Sequence, residues 1–570
     1  MLLHSNATAT CLVLLLLLQQ THQSTITTPS GLTIVGTTVD NNCNQYLAIP
    51  YAAPPTHDNR WLPPTPYQKN RPEEVVNATH FPPVCMQPPN AWPSLDSTDM
   101  SEDCLYVNVF TPTTYDPQSM PVMVYIHGGD YLYGGTNDKE INGCNLVAVT
   151  RDVVVVTVQY RLGIFGFLGS ETLRDRDTTT AQPSTGNYGL LDQIEALRWI
   201  NKNIGVFGGD TNNVMIFGES AGAGAITNLL VAPTAKHLYH RAAMQSGAWA
   251  EWTTKSMQNA TDVFNDLVQR STCAPTESSG SLVDCLLALS PNALVDLSLD
   301  IQAYADQWTV CRWSPTVDGS ILLEHPAVVV LKDPSQINPI PILYGNNDEE
   351  GVSFVSMTRM SDSAWIEKET FQYNDFQTWL TVNFPTNHRL IQQHYHGMFD
   401  EGGTTPPQPW FVAQRIVGDL MLFCPGRRSA KSLMRHREET SVYEYLFDHA
   451  PYLAGTANTD SFHGAEVPFV FSNLKEVKEE TGNGGRGEFL LAQSMTWLWT
   501  MFAKFGTPTP TQVTPPSTTL LNDLVWAKFP AYLEMDTAQG GLNIFCRRCL
   551  VVVLMFVLIL LFFFLSQVVV

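Results

Sequence analysis

Ser220 stands in the run Val214-Met215-Ile216-Phe217-Gly218-Glu219-Ser220-Ala221-Gly222-Ala223, where a β-rich stretch meets G-x-S-x-G and then turns small and apolar. A serine hydroxyl is a poor nucleophile until a neighbouring base takes its proton. It must also stand clear of its own backbone, and a strand-to-helix turn flanked by glycines gives that exposure. The run therefore reads as a nucleophile elbow. Alone the pattern is weak, and its weight comes from what else the chain carries, in order. Residues 121–127 predict a buried strand running into Gly128-Gly129-Asp130, where backbone N–H groups would face the Ser across a carbonyl. Residues 339–344 predict a strand ending in Gly345-Asn346-Asn347-Asp348-Glu349-Glu350-Gly351, a carboxylate cluster. Residues 441–447 predict another strand, followed by a long loop with His463-Gly464-Ala465-Glu466.

The order Ser, acid, His is that of an α/β-hydrolase, and it excludes the orders of the chymotrypsin and subtilisin types. The expected fold class is α/β, a large mostly parallel sheet flanked by helices. Length alone favours several domains, yet no linker separates two cores. Gly-rich 482–487 and Thr/Pro-rich 506–519 read as loops, and there are no internal repeats. The net charge of −22 argues against nucleic acid as a partner and disfavours anionic membranes. No Cys/His spacing reads as a metal site, and no cofactor is implied.

Targeting features bracket the chain. Residues 11–18 form a short apolar core, so 1–24 read as a signal peptide although Lys and Arg are missing before it. From Cys549 to Val570 the chain is almost wholly apolar, with Arg547 and Arg548 before it and nothing basic after it. Small residues upstream make 541–570 read as a GPI-attachment signal, with a single-span anchor as the alternative. The expected product is a secreted, membrane-tethered domain over 25–540. Asn77 and Asn259 lie in N-x-T sequons suited to surface glycosylation, while Asn6 would leave with the leader.

The chain resembles the type-B carboxylesterase and cholinesterase-like family from about Leu32 to about Asp536. The resemblance rests on Leu47-Ala48-Ile49-Pro50-Tyr51-Ala52, Ser101-Glu102-Asp103-Cys104-Leu105, Tyr160-Arg161-Leu162-Gly163, Asn187-Tyr188-Gly189-Leu190-Leu191-Asp192-Gln193 and the elbow itself. It implies a triad of Ser220, Glu350 and His463, because the family's Asp-Glu-Gly step falls on Glu349-Glu350-Gly351. It implies oxyanion donors at Gly129, Asp130 and Ala221, and a family carboxylate at Glu219. His449 matches a structural position. Implied disulfides are Cys85–Cys104, Cys273–Cys285 and Cys424–Cys546, in keeping with an oxidising compartment. Cys43, Cys144 and Cys311 are left as core or free thiols, and Arg60–Glu102 and Arg161–Asp192 are implied ion pairs.

Departures from the family shape the expected substrate. Trp92 is out of register for a choline-binding indole, and Ser353 replaces an aromatic of the cation site. Thr309 and Cys311 take acyl-pocket positions that are Phe in acetylcholinesterase, beside Trp252 and Trp313. The resemblance thus implies a broader carboxylic-ester hydrolase acting on small-molecule esters. Asp130 stands where active relatives have Gly, and a carboxylate there would oppose the developing oxyanion unless it turns aside or serves as a second base. That residue leaves room for the alternative, a catalytically weak, neuroligin-like surface binding protein.

Overall fold

The computed structural model describes residues 23–545 apart from 70, 90–94, 96–98, 179–182, 274–281, 300–303, 306–309, 356–357, 362–363, 366–367, 369, 401–407, 438–439, 452–459, 475–481, 517–519, 522–523 and 536–542. The main sheet has 13 strands. In chain order these are β1 (Gln23–Thr27), β2 (Thr33–Val39), β3 (Cys43–Pro50), β4 (Val75–Asn77), β5 (Tyr106–Pro112), β6 (Met120–Ile126), β7 (Val154–Val158), β8 (Gly209–Glu219), β9 (Arg241–Gln245), β10 (Ile342–Asn347), β11 (Val442–Phe447), β12 (Tyr532–Met535) and β13 (Asn543–Phe545). Their order in space is β1-β2-β3-β5-β7-β6-β8-β9-β10-β11-β12-β13, with β4 beside β2.

From β7 through β12 every pairing is parallel, and the antiparallel pairings sit toward the two ends. Parallel strands covered on both faces read as unbroken apolar runs. All seven residues of β6 are accordingly buried, as are all five of β7. Two large apolar clusters cover the sheet. One gathers Trp61, Ile194, Leu229 and Trp379, and the other Phe217, Phe471, Trp499 and Trp526.

Arg60–Glu102 and Arg161–Asp192 form ion pairs at 2.7 Å each, almost completely buried. Each arginine also donates to backbone carbonyls, Leu287 and Leu289 for the first and Leu62 for the second. Those bonds offset the cost of removing the charges from water.

Disulfides join Cys85 to Cys104 and Cys273 to Cys285. A third joins Cys43 to Cys144, which corrects the expectation of free thiols there. The reason is topological: β3 pairs with β5, and the helix Gly143–Thr150 lies against both strands, so two residues 101 apart in sequence become neighbours. Cys424 is buried, while Cys546 and the apolar tail lie outside the described residues. Among the described residues no single helix is long and apolar enough to cross a membrane. The expected loop at 482–487 is instead the start of a helix, Gly482–Phe505, whose later turns pack into the core through Leu491, Met495, Leu498 and Phe502. That buried face carries the helix through glycines that would not start one alone.

Candidate active site

The elbow closes on backbone contact. Ser220 has φ 56° and ψ −123°, between β8 and the helix Ala221–Val231. Left-handed backbone at a non-glycine residue costs on the order of 1–3 kcal/mol and persists only where its surroundings enforce it. Here Ser220 N donates to Gln245 O at 2.9 Å and Gly224 N to Ser220 O at 2.9 Å. The glycines serve close approach. A Cβ on Gly218 would lie 2.5 Å from Ile126 O, and one on Gly222 only 2.0 Å from it.

β6 delivers the donor loop beside this turn, so that a Cβ on Gly128 would sit 3.0 Å from Ser220 Cβ. Gly129 (φ 99°), Asp130 (φ 54°) and Tyr131 (φ 58°) then run left-handed in succession. Leu132 N and Tyr133 N both donate to Gly129 O, at 2.8 and 3.0 Å, which closes the loop on itself. Asp130 is half-buried, and Tyr133 O–H donates to its Oδ2 at 3.1 Å. The Asp130 charge, with burial second, raises the Tyr133 phenol well above its ordinary range. Sequence reading missed Tyr133; only its spacing three residues from Asp130 hinted at a partner.

The acid resolves among three adjacent carboxylates. Glu350 Oε2 lies 2.6 Å from His463 Nδ1, and its Oε1 accepts from Asn347 N at 2.8 Å. Glu349 faces the other way and accepts from Ser461 N, while Asp348 pairs with Arg415 at 3.0 Å. Gly351 permits this turn, since a Cβ there would meet Gln414 O at 1.7 Å. The Phe354 ring packs edge-on against the imidazole at 4.8 Å.

His463 Nε2 makes no hydrogen bond and lies 3.1 Å from Glu219 Oε1. Catalytic hydrogen bonds are often long before substrate arrives. Burial works against a charged imidazole here, but Glu219 and Glu350 outweigh it and raise His463 above its ordinary value. Burial likewise raises the Glu219 carboxyl, with His463 opposing. The two groups therefore compete for one proton, and only the form with Nε2 bare can accept one from Ser220. Glu219→Gln removes the charge that favours imidazolium. The acid limb of kcat/KM against pH is expected to move down by about one unit or more; an unmoved limb would show that Glu219 does not govern the imidazole.

A further carboxylate lies beneath. Glu466 is fully buried and accepts from Gln245 Nε2 at 3.0 Å and Asn347 Nδ2 at 2.6 Å. Its place three residues after His463 in a loop gives no sign of that burial.

Other expected positions are less central. Trp252 is buried and spends its indole N–H on Met421 O, within the π-turn Asp419–Phe423, and Trp313 is wholly buried. Cys311 is a buried free thiol, pushed up to about 12 by burial, whose Sγ lies 3.5 Å from Asp130 O. Thr309 and Trp92 lie outside the described residues. Ser353 is half-buried beside Phe354, while His449 bonds Glu488 at 2.9 Å and packs against the Phe469 ring. Asn77 is exposed and Asn259 half-buried on a helix. Among the described residues no group of three or more His, Cys, Asp or Glu could hold a metal ion.

The sequence profile of the carboxylesterase family matches residues 22–542. Human cocaine esterase is 31% identical over 487 residues, covering 81% of this chain and 79% of that protein. Mouse neuroligin-3 is 30% identical over 518 residues, covering 82% of this chain and 59% of that protein. Among solved structures, a thermophilic PNB esterase superposes with a TM-score of 0.72 at 29% identity, covering 92% of this chain and 98% of its own. The parallel sheet, the strained serine turn and these likenesses agree: the chain belongs to the carboxylesterase family.

Proposed function

We propose that the protein is a serine hydrolase of carboxylic esters working through an acyl-enzyme. The observation that carries the reading is the 2.6 Å Glu350–His463 bond beside a Ser220 held in left-handed backbone. His463 Nε2 takes the Ser220 proton as Oγ bonds to the ester carbon. The N–H groups of Gly129, Asp130 and Ala221 receive the charge that develops on the carbonyl oxygen. The tetrahedral adduct then expels the alkoxide, which takes its proton from Nε2. Water enters with His463 again as base, and the acid leaves from Ser220. Glu350 holds the tautomer and stabilises the imidazolium without taking the proton.

The same proposal places the enzyme outside the cell, tethered by its apolar C-terminal segment. Three disulfides and the residues from Cys549 to Val570 support that placement. Its substrates are small-molecule esters, as the names of relatives such as human cocaine esterase and mouse acylcarnitine hydrolase suggest. The missing choline-site aromatics argue for a broad acyl range rather than choline esters. The test is a p-nitrophenyl ester series from acetate to octanoate with the full chain. Turnover is expected, with a chain-length optimum that sizes the acyl pocket. Absence of turnover from folded protein would favour the adhesive reading, to which Asp130 and the likeness to mouse neuroligin-3 lend the only support.

A further inference from the structure

Three consecutive residues ahead of His463 are each held from a different quarter. Lys368 Nζ lies 3.2 Å from Asp460 Oδ2. Ser461 N donates to Glu349 Oε2 at 2.8 Å, and Glu349 N donates back to Ser461 O at 3.3 Å. Asn347 Nδ2 donates to Phe462 O at 2.7 Å. We propose that Glu349 and Lys368 are positioning residues that set the imidazole of His463 against Glu350.

The geometry gives Glu349 this task because it adjoins the acid. The turn that aims Glu350 at Nδ1 also grips, one residue earlier, the strand of loop two residues before His463. Acid and base are thereby measured off the same backbone, and a shift of one carries the other with it. Reciprocal bonding through a main-chain N–H and a carboxylate allows little sliding. A general base displaced by about 1 Å loses on the order of 100-fold in rate, so a grip of this kind has kinetic consequences.

Lys368 makes the grip electrically tenable. Glu349, Asp348 and Asp460 crowd one end of the loop, and burial with those neighbours raises the Glu349 carboxyl while the Ser461 N–H and Lys368 oppose. The ammonium is itself fixed, 4.6 Å above the Trp410 ring and 5.1 Å from Phe411. Trp410 is buried at the start of the helix Pro409–Gly418, whose last residue lies against the Glu350 side chain. One helix therefore supports both the ammonium and the acid. Arg415, on that helix, takes Asp348 at 3.0 Å and Asp419 at 3.2 Å, which leaves Lys368 to serve Asp460 and Glu349.

The proposal rests on the esterase reading, so wild-type turnover is measured first. Glu349→Leu keeps the size of the side chain and removes the acceptor; Glu349→Gln keeps an oxygen for Ser461 N–H; Lys368→Met keeps the stem over Trp410. In the full chain, Glu349→Leu is expected to lower kcat for p-nitrophenyl acetate by about 10- to 100-fold with KM within about twofold. Glu349→Gln should recover to within about threefold of wild type. Lys368→Met should lose severalfold in kcat alone. Wild type and Glu349→Gln should show the far-downfield proton resonance of a short His463 Nδ1–H bond, and Glu349→Leu should lose it.

A Leu variant with wild-type kcat and resonance, whatever its thermal midpoint, would overturn the role of Glu349. Should that variant not fold, a Gln variant as impaired as a broken triad would overturn it instead. Wild-type kcat in Lys368→Met would remove Lys368 from the proposal. If wild type itself has no turnover, the esterase reading falls, and the proton resonance still decides whether Glu349 positions the imidazole.

Discussion

Ser220→Ala is expected to lower kcat for p-nitrophenyl esters by at least about 10⁴-fold while leaving the thermal midpoint within about 1–2 °C. The loss is large because every later step depends on the Oγ–acyl bond, and the remaining groups act as a unit that does little alone. The fold should survive because the turn is enforced by bonds that alanine keeps. Ser220 N still donates to Gln245 O, and Ser220 O still accepts from Gly224 N. Alanine also has a Cβ like serine, so the left-handed backbone is no more strained than before. Burst kinetics with p-nitrophenyl acetate check the claim directly. One equivalent of early product from wild type and none from the variant is the expected pair of traces. A variant that retains more than about 1% of turnover would place the nucleophile elsewhere.

Glu350→Gln offers no comparable test, for a reason that shows how the site divides its labour. His463 is bordered by Glu350 at 2.6 Å and Glu219 at 3.1 Å, with Glu466 acting on it from beneath. Loss of one carboxylate leaves others to favour the imidazolium, so the measured effect would mix orientation with charge. The serine has no such understudy.

How much of this was legible in the sequence depends on how local each feature is. The elbow is local: five residues with glycines at fixed offsets, placed on a strand whose apolar run is continuous. The small, apolar stretch that follows it is observed as the helix Ala221–Val231. Even so, the sequence pattern assigns the unusual backbone to the glycines, whereas the left-handed residue is Ser220 and the glycines make room for Ile126 O. The acid was less legible. Asp348, Glu349 and Glu350 are equivalent as residue types, and family resemblance singled out Glu350; only the turn geometry gives the other two their partners, Arg415 and Ser461.

What stayed hidden was set by strand order. Cys43 and Cys144 meet because β3 lies beside β5 in space, a fact no spacing encodes across 101 residues. Glu466 looked like a loop residue after a histidine, yet it accepts from Gln245 at the end of β9 and Asn347 at the end of β10. Such polar groups at the carboxyl ends of parallel strands become a site only when the strands are ordered side by side. Helix Gly482–Phe505 was misread at its start for a related reason: composition favours a loop, and tertiary packing of its later turns overrides it.

Asp130→Asn is expected to raise the acylation rate by about 10- to 100-fold, and Asp130→Gly by a similar amount. A unit charge a few ångströms from a developing oxyanion, at an effective dielectric of about 20, opposes it by a few kcal/mol. Each 1.4 kcal/mol of barrier is about tenfold in rate. Asn isolates the charge, because it keeps the shape and tolerates the φ of 54° that Asp130 holds. Gly adds relief of that strain. Tyr133 sharpens the expectation: its O–H donates to Asp130 Oδ2 at 3.1 Å, which draws the carboxylate toward the phenol. Tyr133→Phe releases the carboxylate, so acylation should slow severalfold, opposite in sign to the Asp130 variants. Single-turnover stopped-flow with p-nitrophenyl butyrate separates acylation from deacylation for all three. Faster acylation in Asp130→Asn with slower acylation in Tyr133→Phe would make the pair a brake on the oxyanion hole, held partly off by the phenol. Slower deacylation in Asp130→Asn would instead assign the carboxylate to the attacking water. Rates unchanged in both would mean that the carboxylate stands clear of the oxyanion with or without the Tyr133 hydroxyl, and that the oxyanion hole works as though residue 130 were neutral.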